Sequence, residues 1–142
     1  MRTSVLALAA LLALAAAPPP STIQIDAAKI VWKDGPATLP KGTKVAVLEG
    51  DPKSPGIFTM RLRVPAGSKI APHWHPRPER VTILSGLVKV GFGDKWDNAA
   101  MRSFNAGDFY MNPPESHHFV AFPRTSVIQI TGEGPWELKP LE

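Results

Sequence analysis

From Ile23 onward, apolar residues alternate with polar ones far more often than they recur at helical spacing. Phe58, Met60, Leu62 and Val64 alternate with Thr59, Arg61 and Arg63, which predicts a strand with one buried face. Lys44 to Leu48 predicts another, Val81 and Ile83 mark a third, and Ser126 to Thr131 reads as the last. Ile23-Gln24-Ile25 also alternates, and Lys29 to Trp32 reads as an edge strand before the turn Asp34-Gly35-Pro36. Leu87 to Gly93 is expected to pair as a hairpin with the strand before it, its even-numbered residues inward. Phe109, Met111 and Phe122 are expected to face inward as well. Only Asp94 to Ser103 suits a helical turn, with Asp97 or Asn98 as its cap. Many short strands separated by Gly and Pro turns predict an all-β sandwich or barrel with minimal helix.

The beginning of the chain breaks this pattern. Residues 1–17 carry one basic side chain near the start, an apolar run from Val5 and small residues at the end. They read as a secretory signal cleaved near residues 15–17, the other reading being an uncleaved helical anchor. The run is short for a membrane span. Residues 18–22 open with three prolines and form a stiff spacer, leaving residues 23–142 as a single domain. A secreted or periplasmic protein, with no membrane association after cleavage, is the expectation.

Length and composition narrow the choices. A chain of 142 residues suits one domain with a real core. With no cysteine, neither disulfides nor thiolate ligands are available, so a metal must be held by nitrogen and oxygen donors. A net charge of +4, scattered along the chain, gives no basic stripe for nucleic acid, and no nucleic-acid partner is expected.

The chemistry concentrates between Gly67 and Gly86, GSKIAPHWHPRPERVTILSG. If His73-Trp74-His75 is extended, both imidazoles point to one face and Trp74 to the other. Glu79 shares its parity with Val81 and Ile83, so its carboxylate can face the same interior. Two imidazoles and a carboxylate in one pocket suit a divalent transition metal. A single strand histidine is most often solvated or hydrogen-bonded. All four histidines, however, lie in two strand-like segments, the second pair being His117 and His118. Because adjacent residues of a strand face opposite ways, only one of that second pair can aim inward.

The spacing Gly67-x5-His73-x-His75-x3-Glu79-x6-Gly86 resembles the first motif of the cupin superfamily at every fixed position. The second cupin motif is matched in part. Gly107, Pro113 and His118 fit it, Glu115 stands where glycine is expected, and Phe122 where asparagine is expected. The resemblance implies a jelly-roll-like β-barrel holding one metal ion through His73, His75, Glu79 and His118, with His117 left at the rim. Cupins commonly dimerise, so it also implies a homodimer.

One divalent transition metal ion per chain is therefore expected. Copper is favoured because affinity at nitrogen and oxygen sites peaks there. Iron or manganese becomes plausible if Glu79 binds directly; if Glu79 stays just outside, it is free to move protons as a catalytic acid or base. The leading functional expectation is a secreted metal-dependent oxidoreductase that activates dioxygen or peroxide. The chain is similar to small extracytoplasmic cupins, a group that resembles copper-dependent cupins cleaving cellulose oxidatively. That resemblance implies a carbohydrate or other small-molecule substrate. Trp32, Trp96, Tyr110 and Trp136 supply rings that stack on sugars if exposed and pack the core if not. The alternatives are a metal-containing binding protein without turnover, and a non-redox sugar isomerase or epimerase with Glu79 as acid or base.

Overall fold

The structure is a computed structural model that describes residues 21–141. The leader-like stretch and the three prolines after it lie outside the described residues. The strands are β1 Lys33–Asp34, β2 Lys44–Glu49, β3 Gly56–Val64, β4 Ser68–Trp74, β5 Glu79–Ser85, β6 Leu87–Phe92, β7 Arg102–Asn105, β8 Phe109–Asn112, β9 His118–Phe122, β10 Ser126–Gly134 and β11 Lys139–Pro140. They form two antiparallel sheets in the orders β1-β2-β3-β10-β5-β8 and β11-β4-β9-β6-β7. From β3 to β6 and again from β7 to β10 the chain steps back and forth between the sheets, as in a jelly roll.

The alternation along each strand explains why the sheets face one another. Phe58, Met60, Leu62 and Val64 of β3 are buried, as are Val81 and Ile83 of β5, Val88 and Val90 of β6, Val120 and Phe122 of β9, and Ile128 and Ile130 of β10. Fully burying a side chain of this size contributes about 1.5–3 kcal/mol. Their sum holds the sheets together, and the ladders fix which residues face in.

Several expectations are corrected by the pairing. Lys29 to Trp32 is not a strand: Ala27–Lys29 is a 3-10 turn, and pairing begins only at Lys33–Asp34. Val31 is exposed there, and Trp32 lies beneath the Arg63 guanidinium, 4.4 Å from its ring centroid, so neither side chain joins the core between the sheets. Ile23 and Ile25 are likewise exposed and form no strand. β6 is not a hairpin partner of β5, because it crosses to the other sheet and pairs with β7 and β9. Gly86 makes that crossing with φ 88°, and a Cβ there would collide with Ser126. Ser126 is buried and accepts the Leu87 N–H at 3.1 Å. The inward parity of β6 holds at Val88 and Val90, whereas Phe92, at the strand's end, is exposed.

Phe109 and Met111 are also turned the other way. They are 56% and 43% exposed, and Tyr110 and Asn112 face the interior. The reason is register: β8 pairs with β5 so that Tyr110 opposes Val81 and Asn112 opposes Glu79, and opposed residues share a face. The expected last strand runs on to Gly134, and a further short strand, β11, follows it. The short turn expected after Asp94 is present as Asn98–Ala100, capped by Asp97, whose side chain accepts the Ala99 N–H at 2.8 Å.

Behind β9, Phe119 is fully buried on the outer face, its ring against Gly91 and 5.1 Å from that of Trp96. A Cβ at Gly91 would overlap that ring. Gly91→Ala is therefore expected to destabilise the fold by about 1–3 kcal/mol, measured as a lower urea midpoint at unchanged slope. An unchanged midpoint would show that Phe119 is not held in this position.

Candidate metal centre

Three strand ends deliver the ligand-type groups of the interior. β4 carries His73 inward near its end, and His75 follows two residues later, before the Pro76 to Pro78 turn. Glu79 opens β5 and shares the buried face of Val81 and Ile83. His118 opens β9, opposite both His73 and Phe92 in the ladders. His73, His75 and His118 are 3%, 2% and 1% exposed. Their ligand atoms all lie within 4.8 Å of one another. Glu79 is beside them, its Oε2 3.4 Å from His75 Nε2 and 3.9 Å from His118 Nε2.

The orientation of each ring follows from its second nitrogen. His73 Nδ1–H donates to the Ala71 carbonyl at 2.8 Å, His75 Nδ1–H to the Glu137 carbonyl at 2.7 Å, and His118 Nδ1–H to the Ser116 carbonyl at 2.9 Å. A carbonyl can only accept, so each Nδ1 carries a hydrogen and each Nε2 faces the interior, where it presents a lone pair once unprotonated. Metal-binding histidines are oriented in this way. His75 Nε2 is buried and faces Glu79 Oε2 at 3.4 Å. Trp136 stacks on the same ring, centroids 5.2 Å apart and planes 20° from parallel. Three aligned nitrogen donors and an adjacent carboxylate fit a divalent transition ion.

Asn112 was not recognised in the sequence, where it reads as the start of the Asn112-Pro113-Pro114 turn. It is buried, donates from Nδ2 to Glu79 Oε2 at 2.9 Å, and lies 3.0 Å from His118 Nε2. Its even parity with Tyr110 was the available signal, and the misread face of β8 concealed it. Phe122, at the position where the second cupin motif has asparagine, belongs to the apolar core. Glu115, at the position of that motif's glycine, keeps the left-handed backbone with φ 60°. Its N–H donates to the His75 carbonyl at 2.9 Å, which ties the turn before His118 to the other ligand segment.

His117 points outward, as expected. Its side chain is about one-third exposed and its Nδ1 lies 2.7 Å from Asp94 Oδ1. Trp74 is half-buried on the outer side, with Lys139 Nζ 5.5 Å from its ring centroid. Tyr110 packs in the core, while Trp32, Trp96 and Trp136 are half-buried. Lys69 lies over Trp96 as Arg63 does over Trp32, so neither ring is a bare platform.

Electrostatics separates the three imidazoles. Burial, reinforced by His118, pulls His73 down to about 4. Burial also lowers His118. Burial acts on His75 in the same sense, but the hydrogen bond and charge of Glu79 outweigh it and hold His75 above the ordinary histidine value. Burial pushes Glu79 up, and His75 and His118 overcome it, so the carboxylate stays ionised. Burial and the charge of Glu79 hold the Tyr110 hydroxyl neutral, well above its usual range.

These groups line a cavity of about 20 Å³, room for an ion or about one water. Three ring nitrogens, one carboxylate and a jelly roll define the class. Residues 20–137 match the ChrR cupin-like domain, and the chain belongs to that family within the cupin superfamily. No curated protein matches the chain. Similar solved structures include the polyketide cyclase RemF from Streptomyces resistomycificus, 15% identical, covering 84% of each chain with a TM-score of 0.67. An acetylacetone dioxygenase from Acinetobacter johnsonii is 19% identical over 88% of this chain and 81% of its own, TM-score 0.62. An RmlC-like cupin from Shewanella frigidimarina is 16% identical over 86% of this chain and 94% of its own, TM-score 0.59. At these identities the likeness establishes the fold.

Two outcomes follow for metal binding. His75→Ala is expected to abolish binding of one ion per chain and the rise in melting temperature that the ion brings, whereas His117→Ala leaves both nearly intact. Elemental analysis and thermal melts with and without Zn(II) measure this, and loss of metal in His117→Ala would contradict the arrangement. The pH dependence comes from His75, which must lose its proton to ligate and whose pKa is raised; His73 and His118 are held low and are already neutral. Affinity should therefore increase as pH rises through and beyond the ordinary histidine range, with proton release accompanying the ion. Calorimetry in buffers of different ionisation enthalpy reads that proton, and a pH-independent affinity would contradict the assignment.

Proposed function

We propose that the chain is a metal-dependent oxidoreductase that activates dioxygen or peroxide, with His73, His75 and His118 as ligands and Glu79 as the proton carrier. One observation carries the reading: three buried imidazoles, each turned by a backbone carbonyl, converge beside an ionised carboxylate in a cavity too small for anything beyond an ion and a very small molecule. A redox-active ion bound there supplies the one-electron steps that dioxygen and peroxide need.

The remaining chemistry belongs to the chain. Glu79 Oε2 is the atom placed to take up or deliver a proton, and Asn112 Nδ2 fixes where that oxygen lies. Val81, Val120, Ile128 and Ile130 line the same cavity and exclude water, which strengthens every charge interaction inside it. The three-nitrogen set favours copper, and direct ligation by Glu79 would move the preference toward iron or manganese. In its most specific form the proposal is a secreted copper enzyme that cleaves a cellulose-like polysaccharide. The burial of all three histidines favours instead a substrate small enough to enter the barrel.

Two other readings use the same residues: a metal-containing binding protein without turnover, and a non-redox isomerase or epimerase in which Glu79 moves the proton. Cupin barrels host unrelated chemistries, so the site must decide. Apoprotein loaded separately with Cu(II), Fe(II), Mn(II) and Zn(II) is expected to consume dioxygen or peroxide, in the presence of a reductant and with cellulose or small organic acids, only with the redox-active ions. Full activity with zinc would reject the oxidoreductase, and tight ligand binding with no turnover would favour the binding protein. Glu79→Gln is expected to keep the ion and lose turnover by about 10²–10⁴-fold. Loss of the ion in that variant would make Glu79 a ligand.

A further inference from the structure

A much larger space lies beside the metal cavity. A groove of about 810 Å³ opens between the β1 and β2 side of the first sheet and the segment that follows β10. That volume falls in the range of sites for small organic molecules, roughly 300–1,000 Å³. Leu39, Leu62, Trp136 and Leu138 line both the groove and the histidine cavity, so one layer of side chains separates them. Leu39 sits between β1 and β2 and Leu138 between β10 and β11, outside the paired strands. Val45 and Met60 extend the apolar floor.

The polar groups of the rim are unevenly matched. Asp34 pairs with Lys44 Nζ at 2.6 Å, and Glu137 with Lys139 Nζ at 3.1 Å. Asp51 accepts the Lys53 N–H at 2.9 Å and the Ser54 hydroxyl at 2.7 Å, which hold its carboxyl below the usual range. Among the described residues, neither Lys33 nor Lys53 has a carboxylate within ion-pair distance of its ammonium group. Each carboxylate on the rim has a close partner, whereas the exposed ammonium groups of Lys33 and Lys53 have none within ion-pair distance, Lys53 acting on Asp51 only through longer-range charge. The Trp136 Nε1–H lies in the shared wall, buried and with no acceptor among the described residues, so its resonance reports on what packs against that wall.

We infer that this groove binds a small amphipathic carboxylate, its apolar part against Val45, Met60 and Leu62 and its anionic group toward Lys33 and Lys53. Trp136 and the two leucines stand between it and the histidines. The inference rests on the proposed function only in calling this ligand the substrate; binding itself needs neither metal nor turnover.

Titration of the protein with octanoate and, separately, with 1-octanol tests it. Calorimetry should show one saturable octanoate site, with octanol at least tenfold weaker. The indole ¹⁵N–H resonance of Trp136 should shift on octanoate binding while that of Trp96, on the outer face, stays put. Lys33→Glu combined with Lys53→Glu should weaken octanoate at least tenfold and leave octanol unchanged. Val47→Trp, which fills the groove from an exposed position, should block both probes without altering metal content or melting temperature. Absence of saturable octanoate binding, equal affinity for the two probes, or a shift at Trp96 in place of Trp136 would overturn the inference. Octanoate binding by protein that takes up no metal would support the groove while refuting the proposed function, and metal-dependent turnover without octanoate binding would do the reverse.

Discussion

Three backbone carbonyls determine what the interior of this barrel can do. Ala71, Glu137 and Ser116 each take the Nδ1 hydrogen of one buried histidine, and so decide that Nε2 of all three rings faces inward. Without that constraint a buried imidazole may adopt either tautomer and either ring flip, and three of them would converge only occasionally. The carbonyls come from different places. Ala71 lies in the ligand's own strand, Ser116 in the turn before β9, and Glu137 in the segment after β10. The site thus depends on the closing of both sheets and on the chain's last turns, not on the two histidine segments alone.

The same dependence organises the charge. Burial alone would leave all the imidazoles neutral and raise the carboxylate; the contact between His75 and Glu79 reverses this for one pair. Asn112 reaches that pair from the sheet's edge strand and fixes the carboxylate oxygen. Its Oδ1 is buried with no partner among the described residues, which is a cost borne at the centre of the site. Polar residues that remain incompletely satisfied in an otherwise apolar core are more consistent with a role in chemistry than in stability.

The sequence disclosed those parts of the site that depend on neighbours along the chain. His73 and His75 share a face because strands alternate, and Glu79 joins them through its parity with Val81 and Ile83. The choice of His118 over His117 needed the cupin spacing, since parity alone says only that one of them faces in. What the sequence withheld depends on pairing between distant strands. Asn112 meets Glu79 across a ladder, and the misread faces of Phe109 and Met111 reflect the same missing register. The crossing of β6 to the opposite sheet turns on Gly86 meeting Ser126, residues brought together only by the fold. Trp32 looked like a strand residue because its packing partner, Arg63, is remote in sequence. Glu115 looked like a departure from the cupin pattern, yet its backbone takes the conformation that the family's glycine would supply.

The convergence of three imidazoles on one cation can be counted directly. X-ray absorption of the zinc-loaded protein, which registers ligands irrespective of any redox role, should show three imidazole nitrogens at about 2.0–2.1 Å, falling to two in His118→Ala. A spectrum with fewer than three imidazoles in the parent chain, or one unchanged by that substitution, would contradict a shared site.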